Sequence, residues 1–200
     1  EAFLSLCDGV LIMGCRKGSC NYLTGNYQAE KVAKAFRKAL ELISVNPERL
    51  FVNLESDTEI IQVYEKFYRK IRRMGPLWPQ DDGKREELRH QFLMARATLL
   101  DEELKWLVAR EWTLVSRENA YGEITSQEKF DAVLEKRIEE QFLISRICDL
   151  LKEKAWSGVE ISSELGEPTE LIFRTIVEMT RRGLLTRAGI KERNPLYKTA

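Results

Sequence analysis

The 200-residue chain is expected to open as an α/β domain with an incomplete doubly wound parallel sheet. It is expected to continue as an all-α region ending in a winged-helix-like domain. Three observations predict this. Two short apolar runs alternate with amphipathic helical patterns up to Met74, a break rich in proline and glycine follows at Gly75 to Gly83, and residues 141–200 carry the rhythm helix, turn, helix, hairpin.

The first run, Asp8-Gly-Val-Leu-Ile-Met-Gly14, is continuously apolar and closed by glycine, as in a strand buried on both faces of a parallel sheet. Gln28 to Ile43 has helical spacing, with Val32, Ala35, Phe36, Ala39, Leu40 and Ile43 on one face, and Asn46-Pro47 ends it. Leu50 to Leu54 predicts a second strand. Asp57 to Met74 predicts a second helix with Ile60, Ile61, Tyr64, Phe67 and Ile71 on its apolar face. Strand, helix, strand, helix implies a right-handed crossover between parallel strands. Two such strands do not make a stable sheet alone. With Glu1 in place of a starting Met, the expectation is therefore the C-terminal portion of a larger doubly wound domain, with Glu1 to Leu6 closing a preceding helix.

Pro76 and Pro79 mark residues 77–83 as a linker. Lys84 to Val115 predicts one long helix with a stripe of Leu93, Ala97, Leu100, Leu104 and Leu107, and with Trp106 and Trp112 as packing residues. Asn119 to Ser126 reads as a polar loop, in which Thr125 or Ser126 caps the next helix and Glu128 stands in its first turn. That helix, from Phe130 to Trp156, is expected to break or bend near Gln141. Helices over Val159 to Leu165 and Thr169 to Arg182 and a final hairpin complete a small domain around Ile161, Leu165, Ile172, Ile176, Leu184 and Tyr197.

Composition bounds the function. Acidic and basic residues balance at 32 each, so the overall field selects no partner. No apolar run is long enough for a membrane-spanning helix and no leader pattern is visible, which places the chain in the cytoplasm. His90 lies in a charged helical stretch without a nucleophile nearby, and no phosphate loop or acid–base pair stands out, so no catalytic centre is expected.

The cysteines are Cys7, Cys15, Cys20 and Cys148, too few and too scattered for a disulfide framework. Cys15 and Cys20 stand out. They lie in Gly14-Cys-Arg-Lys-Gly-Ser-Cys20, after the first strand, where binding loops of open parallel sheets emerge. Two thiols at this spacing suit half of a 2Fe–2S site, with Gly14 and Gly18 allowing close backbone approach and Arg16 and Lys17 favouring thiolate. A pair of loop thiols without metal, a zinc site and a thiol-redox loop remain open on spacing alone. Cys7 and Cys148 read as packing residues.

The blocks Asp8-Gly-Val-Leu-Ile-Met-Gly-Cys15, Gly18-Ser-Cys-Asn-Tyr22, Thr24-Gly-Asn-Tyr-Gln-Ala-Glu30 and Pro47-Glu-Arg-Leu50 resemble the delta subunit of methyl-viologen-reducing hydrogenase over Ala2 to Pro76. The resemblance implies a partial iron–sulfur domain over residues 1–76, before a helical extension (84–140) and the winged-helix-like domain (141–200). It implies a 2Fe–2S cluster held in part by Cys15 and Cys20, with further ligands upstream of Glu1. It also implies electron relay from a hydrogenase or formate dehydrogenase to a flavin-containing heterodisulfide-reductase-like subunit. Lys17 and Ser19 depart from the family's residues between the cysteines. The alternatives are a redox-responsive winged-helix DNA-binding regulator and a scaffold without cofactor. DNA is not the expected partner, because Glu167 and Glu170 open the would-be recognition helix and repel phosphate.

Overall fold

The computed structural model describes residues 1–16, 18–22, 24–54 and 60–200. The chain divides into two compact units, Glu1–Ile138 and Glu139–Ala200.

In the first unit β1 (Val10–Met13) and β2 (Leu50–Asn53) pair in parallel with Val10 beside Leu50 and Met13 beside Asn53, and α1 (Gly25–Leu42) is the crossover between them. Helix α1 is alanine-rich because it is packed on more than one side: it touches β2 and also α3 (Asp82–Leu99) and α4 (Glu102–Ser116). Small side chains at Ala33, Ala35 and Ala39 let these elements approach, and all three are buried. Val32, expected in the core, instead borders an open apolar groove of about 330 Å³ lined by Phe3, Phe36, Leu99, Leu104 and Val108.

After β2 comes α2 (Ile60–Met74), whose start is the first described residue of the predicted helix; residues 57–59 of that prediction lie outside the described residues. Its expected apolar face is largely uncovered. Val63 is buried and Phe67 and Ile71 half-buried, but Ile60, Ile61 and Tyr64 are exposed. The amphipathic period was legible, but period alone does not supply the surface that covers it.

Arg49 clasps this half together. Its buried guanidinium donates to the carbonyls of Asp8 (2.8 Å) and Gly75 (3.0 Å), joining the approach to β1, the start of β2 and the end of α2. The 77–83 segment is pinned at its start: Leu77 N–H donates to Asp8 Oδ1 (2.7 Å) and Trp78 Nε1–H to the Cys7 carbonyl (3.2 Å). Trp78 then packs at a tilt against Phe92, and Phe3 stacks on both Phe92 and Phe36. Glu1 to Leu6 forms a short 3₁₀ turn over Phe3–Ser5.

The single helix predicted over Lys84 to Val115 is two. Asp101 interrupts it, accepting the Leu104 N–H at 3.0 Å as the N-cap of α4, with Glu102 and Glu103 in the first turn. Trp106 is not a packing residue either; it is 59% exposed with Arg110 over its ring. Helix α5 (Gln127–Leu150) starts after Ser126, whose Oγ accepts the Lys129 N–H. It runs through Gln141 without the expected break and ends before Trp156.

A row of lysines on α1 meets carboxylates on α4 and α5. Lys31 pairs with Glu111, Lys34 with Asp131, and Gln127 donates to both Glu111 (2.6 Å) and Asp131 (2.8 Å). Burial works to raise the Asp131 carboxyl, but hydrogen bonds from Lys34 and Gln127 and the charges of Lys34 and Lys31 together outweigh it and hold the group below the ordinary aspartate range. Below this row lies a core of Ala35, Leu104, Val108, Phe130, Leu134 and Ile138.

The second unit contains the end of α5, β3 (Trp156–Ser157), α6 (Gly158–Leu165), α7 (Thr169–Arg181), β4 (Leu185–Lys191) and β5 (Asn194–Thr199). The strands form an antiparallel sheet in the order β3-β5-β4. Trp156 leaves the predicted helix because it pairs with Tyr197 in this sheet, and Ser157 then caps α6 with a full capping box to Glu160. Gly166 ends α6 in the left-handed region that a residue with a β-carbon enters only under strain. Glu192 and Arg193, both at positive φ, make the two-residue hairpin turn. Ile161, Ile172, Ile176 and Tyr197 of the predicted core are buried, together with Ile147, Met179 and Leu185, while Leu165 and Leu184 lie at its edge. No helix among the described residues is long and apolar enough to cross a membrane.

Candidate functional site: the Cys15–Cys20 loop

Strand β1 delivers the site. Its ladder continues one step, with Gly14 N–H donating to Asn53 O at 3.0 Å, and the chain then turns away from the sheet at Cys15. At Gly14 a β-carbon would stand 2.9 Å from Leu54 Cδ2, so glycine lets the loop leave close to β2. Gly18 plays a different part, adopting φ +87° in the turn between the cysteines.

Asn26 anchors the loop from the first turn of α1. Its buried amide Nδ2 donates to the carbonyls of Cys15 (3.3 Å) and Arg16 (2.7 Å), while Oδ1 accepts the Tyr27 N–H (2.9 Å). The loop between strand and helix is thereby tied to the helix that follows it. Ser19 closes the turn, with both its N–H and its hydroxyl donating to the Arg16 carbonyl.

Cys20 sits at the N-terminal end of α1. N–H groups of Tyr22, Asn26 and Gly25 and the thiol of Cys15 donate toward its sulfur, and they hold the Cys20 thiol below the ordinary thiol range, the Tyr22 contact contributing most. The two predicted site residues are thus brought together, Cys15 exposed and Cys20 half-covered. The lowering comes from backbone donors and the neighbouring thiol. The charge expected of Lys17 falls outside the described residues.

The other two cysteines stand apart in chemistry. Burial pushes the thiols of Cys7 and Cys148 up. The Cys7 thiol donates to the Ala2 carbonyl, and Cys148 packs against the core of the second unit. His90 is exposed on α3. Among the described residues no group of three or more His, Cys, Asp or Glu side chains converges as a metal site.

The donor set bears on whether the pair suits an iron–sulfur cluster. Of the two thiols, Cys20 is already biased toward thiolate by backbone N–H groups of the kind that bond to cluster sulfides, and glycine at position 25 keeps the space beside its Sγ free of a side chain. Two thiols with such donors have the chemistry to contribute ligands to a cluster but do not by themselves complete a site. Sequence reasoning singled out the cysteines but not Asn26 and Gly25. The signal was in the Thr24-Gly-Asn-Tyr block, where a polar residue opening a helix can reach back to loop carbonyls.

Comparison with known proteins agrees in extent with the fold of the first 75 residues. Over 79 residues the chain is 35% identical to the iron-sulfur subunit of the F420-non-reducing hydrogenase of Archaeoglobus profundus, covering 38% of this chain and 58% of that protein. Over 71 residues it is 30% identical to the iron-sulfur subunit of the vhu F420-non-reducing hydrogenase of Methanopyrus kandleri, covering 34% of this chain and 54% of that protein. A stretch of 80 residues is 28% identical to one subunit of the ferredoxin/F420H2-dependent CoB-CoM heterodisulfide reductase of Methanosarcina acetivorans, 38% of this chain but 10% of that one. The chain therefore spans a little over half the length of the hydrogenase subunits it matches. No solved structure matches. Residues 1–75, the part that builds the parallel strands and the cysteine loop, match the family described as methyl-viologen-reducing hydrogenase, delta subunit.

Proposed function

We propose that the chain is an electron-transfer component without a catalytic centre of its own, and that residues 1–76 form its redox module with Cys15 and Cys20 as two of four thiolate ligands to a 2Fe–2S cluster. The remaining ligands come from the part of the family's length that these 200 residues do not span. The observation that carries this reading is the Cys15–Cys20 loop itself, two adjoining thiols at a strand end with N–H donors trained on Cys20. When bound, such a cluster supplies one-electron transfer. The protein's part is to hold the loop through Asn26, to bias Cys20 toward thiolate, and to offset negative charge with backbone N–H groups.

The partners in this reading are a hydrogenase or formate dehydrogenase as donor and, as acceptor, a flavin-containing protein like those of heterodisulfide reductase. Two kinds of relative support it: iron-sulfur proteins named for a hydrogenase, and a heterodisulfide reductase chain that contains a stretch similar to this module. Residues 84–140 form a helical extension, and residues 141–200 a winged-helix-like module used for assembly.

The test is iron and acid-labile sulfide analysis of the full natural polypeptide purified without oxygen. Cys15→Ser and Cys20→Ser each abolish the visible cluster absorption, whereas Cys7→Ala and Cys148→Ala retain it. A metal-free protein with both loop thiols freely titratable, or a cluster that survives Cys15→Ser and Cys20→Ser together, sinks the assignment.

A further inference from the structure

Helix α7 buries Ile172, Ile176 and Met179 against the core of the second unit and leaves the opposite face bare. That bare face is not the polar surface its amphipathic period predicts. Phe173 is 38% exposed and Val177 50% exposed, one turn apart, and Val159 of α6 is exposed as well. The Phe173 ring rests against the start of α6, where a β-carbon on Gly158 would come within 2.7 Å of it. The glycine thus lets an aromatic ring lie at the surface between the two helices.

Charges flank this apolar centre in a definite order. Glu170, Arg174, Glu178 and Arg181 are all exposed and follow one another at intervals of three or four residues, which sets them along one side of the helix. Among the described residues none of the four is held in an ion pair, in contrast to Glu160 and Lys191 of the same unit, which bind each other at 2.9 Å. Read from the N-terminus the order is acid, base, acid, base; read from the C-terminus it is base, acid, base, acid. A stripe with this property complements itself when a second copy lies antiparallel. With a twofold axis between Thr175 and Ile176, Glu170 faces Arg181 of the other helix and Arg174 faces the Val177–Glu178 step, each contact occurring twice, with Phe173 and Val177 beside the axis. A parallel copy in the same register would set like charges against each other. Antiparallel pairing also aligns the helix dipoles favourably, and the arrangement meets the rule that a twofold interface uses one self-complementary patch.

We propose that the outward face of α7 is a homodimer interface, in which two copies of the chain pair antiparallel through Phe173 and Val177 and are held in register by the Glu170–Arg181 and Arg174–Glu178 contacts. The same charge order argues against nucleic acid as the occupant, since Glu170 and Glu178 would face phosphate.

Sedimentation equilibrium of the 200-residue chain tests this. The wild-type chain is a dimer. Val177→Asp raises the dimer dissociation constant at least about tenfold while the far-ultraviolet circular dichroism is unchanged. Two double variants change only exposed charges: R174E/R181E leaves the stripe wholly acidic, and E170R/E178R wholly basic. Each is monomeric alone, and an equimolar mixture forms a one-to-one heterodimer. A wild-type chain that stays monomeric to its solubility limit overturns the proposal, as does a dimer indifferent to Val177→Asp, or folded charge variants that fail to associate when mixed. Salt-sensitive binding of random duplex DNA by the wild type, lost in R174E/R181E, would reassign the face to nucleic acid and overturn it equally.

Discussion

The sulfur of Cys20 lies 3.2 Å from the point where a β-carbon on Gly25 would stand, and the Cys20 side chain takes up the room that this glycine leaves. The relationship couples backbone chemistry at the start of α1 to thiol chemistry in the loop, because Gly25 also contributes one of the N–H groups that stabilise the Cys20 thiolate.

Gly25→Ala separates these two roles. The new methyl displaces Cys20 Sγ by a few tenths of an ångström away from its N–H donors, so the thiol rises toward its ordinary value. Helix propensity moves the other way, since alanine is favoured over glycine by at most about 1 kcal/mol. The expected outcome is a higher midpoint in the pH dependence of Cys20 alkylation, with unfolding stability unchanged or slightly raised. A midpoint that does not move would show that the cradle does not tune the thiol.

Three of the cysteines differ in reactivity for reasons of position. Cys20 is held below the ordinary thiol range by N–H donors, while burial raises Cys7 and Cys148. The thiolate is the reacting form, so lowering the pH from alkaline conditions silences Cys7 and Cys148 first and Cys20 after them. Pulsed alkylation with mass spectrometry between pH 6 and 9 reads the order directly, with pH chosen about the ordinary thiol value of ~8.5. Labelling of Cys148 before Cys20 at the acid end would contradict the geometry.

Much of this site was legible in sequence, for a physical reason. Cys15 and Cys20 follow a continuous apolar run, and such a run fixes the strand whose end presents them. The core of the second unit was legible likewise, since Ile161, Ile172 and Ile176 are set by helical period. What sequence reading missed depends on single side chains or on neighbours far along the chain. The stop at Asp101 is one carboxylate accepting one N–H within a pattern that otherwise reads as continuous helix. Gln141 invited a break, yet α5 runs through it between apolar residues that are buried on either side, Ile138 and Phe142. The exposure of Ile60, Ile61 and Tyr64 follows from what lies opposite α2, which no local period encodes.

Glu111 and Lys31 form an unequal pair. The Glu111 carboxylate is fully buried, with Oε1 bound by Lys31 and Gln127 and Oε2 without a hydrogen-bond partner, whereas the Lys31 side chain is 20% exposed. Removing the lysine leaves a buried charge supported by one amide. Lys31→Met is therefore expected to destabilise the chain by about 3–5 kcal/mol. Glu111→Gln removes the charge while keeping the shape, and Lys31 can turn to water, so the loss is about 1–2 kcal/mol. Urea denaturation of both variants checks the asymmetry; equal losses would place Glu111 in a wetter setting than its burial implies.

Glu160 offers a prediction with a defined pH. Its carboxyl is pushed down to about 2, first by the hydrogen bond from Lys191 and then by the backbone N–H and hydroxyl of Ser157 in the capping box. The folded value lies below the ordinary glutamate value of about 4.3. The contribution to stability is therefore complete above that ordinary value and is lost as pH falls from it through the folded value near 2. The carboxyl is exposed, so the measurable quantity is the titration midpoint. Carbon NMR of the Glu160 carboxyl should show a midpoint near 2 in the wild-type chain. Lys191→Ala should move it upward, and more than Ser157→Ala does, because Lys191 supplies the largest single effect. Ser157→Ala removes only the hydroxyl and leaves the backbone N–H of residue 157 to hold the carboxylate. A midpoint in the ordinary glutamate range in the wild type would mean that the bond between α6 and the hairpin strand β4 is not kept in solution.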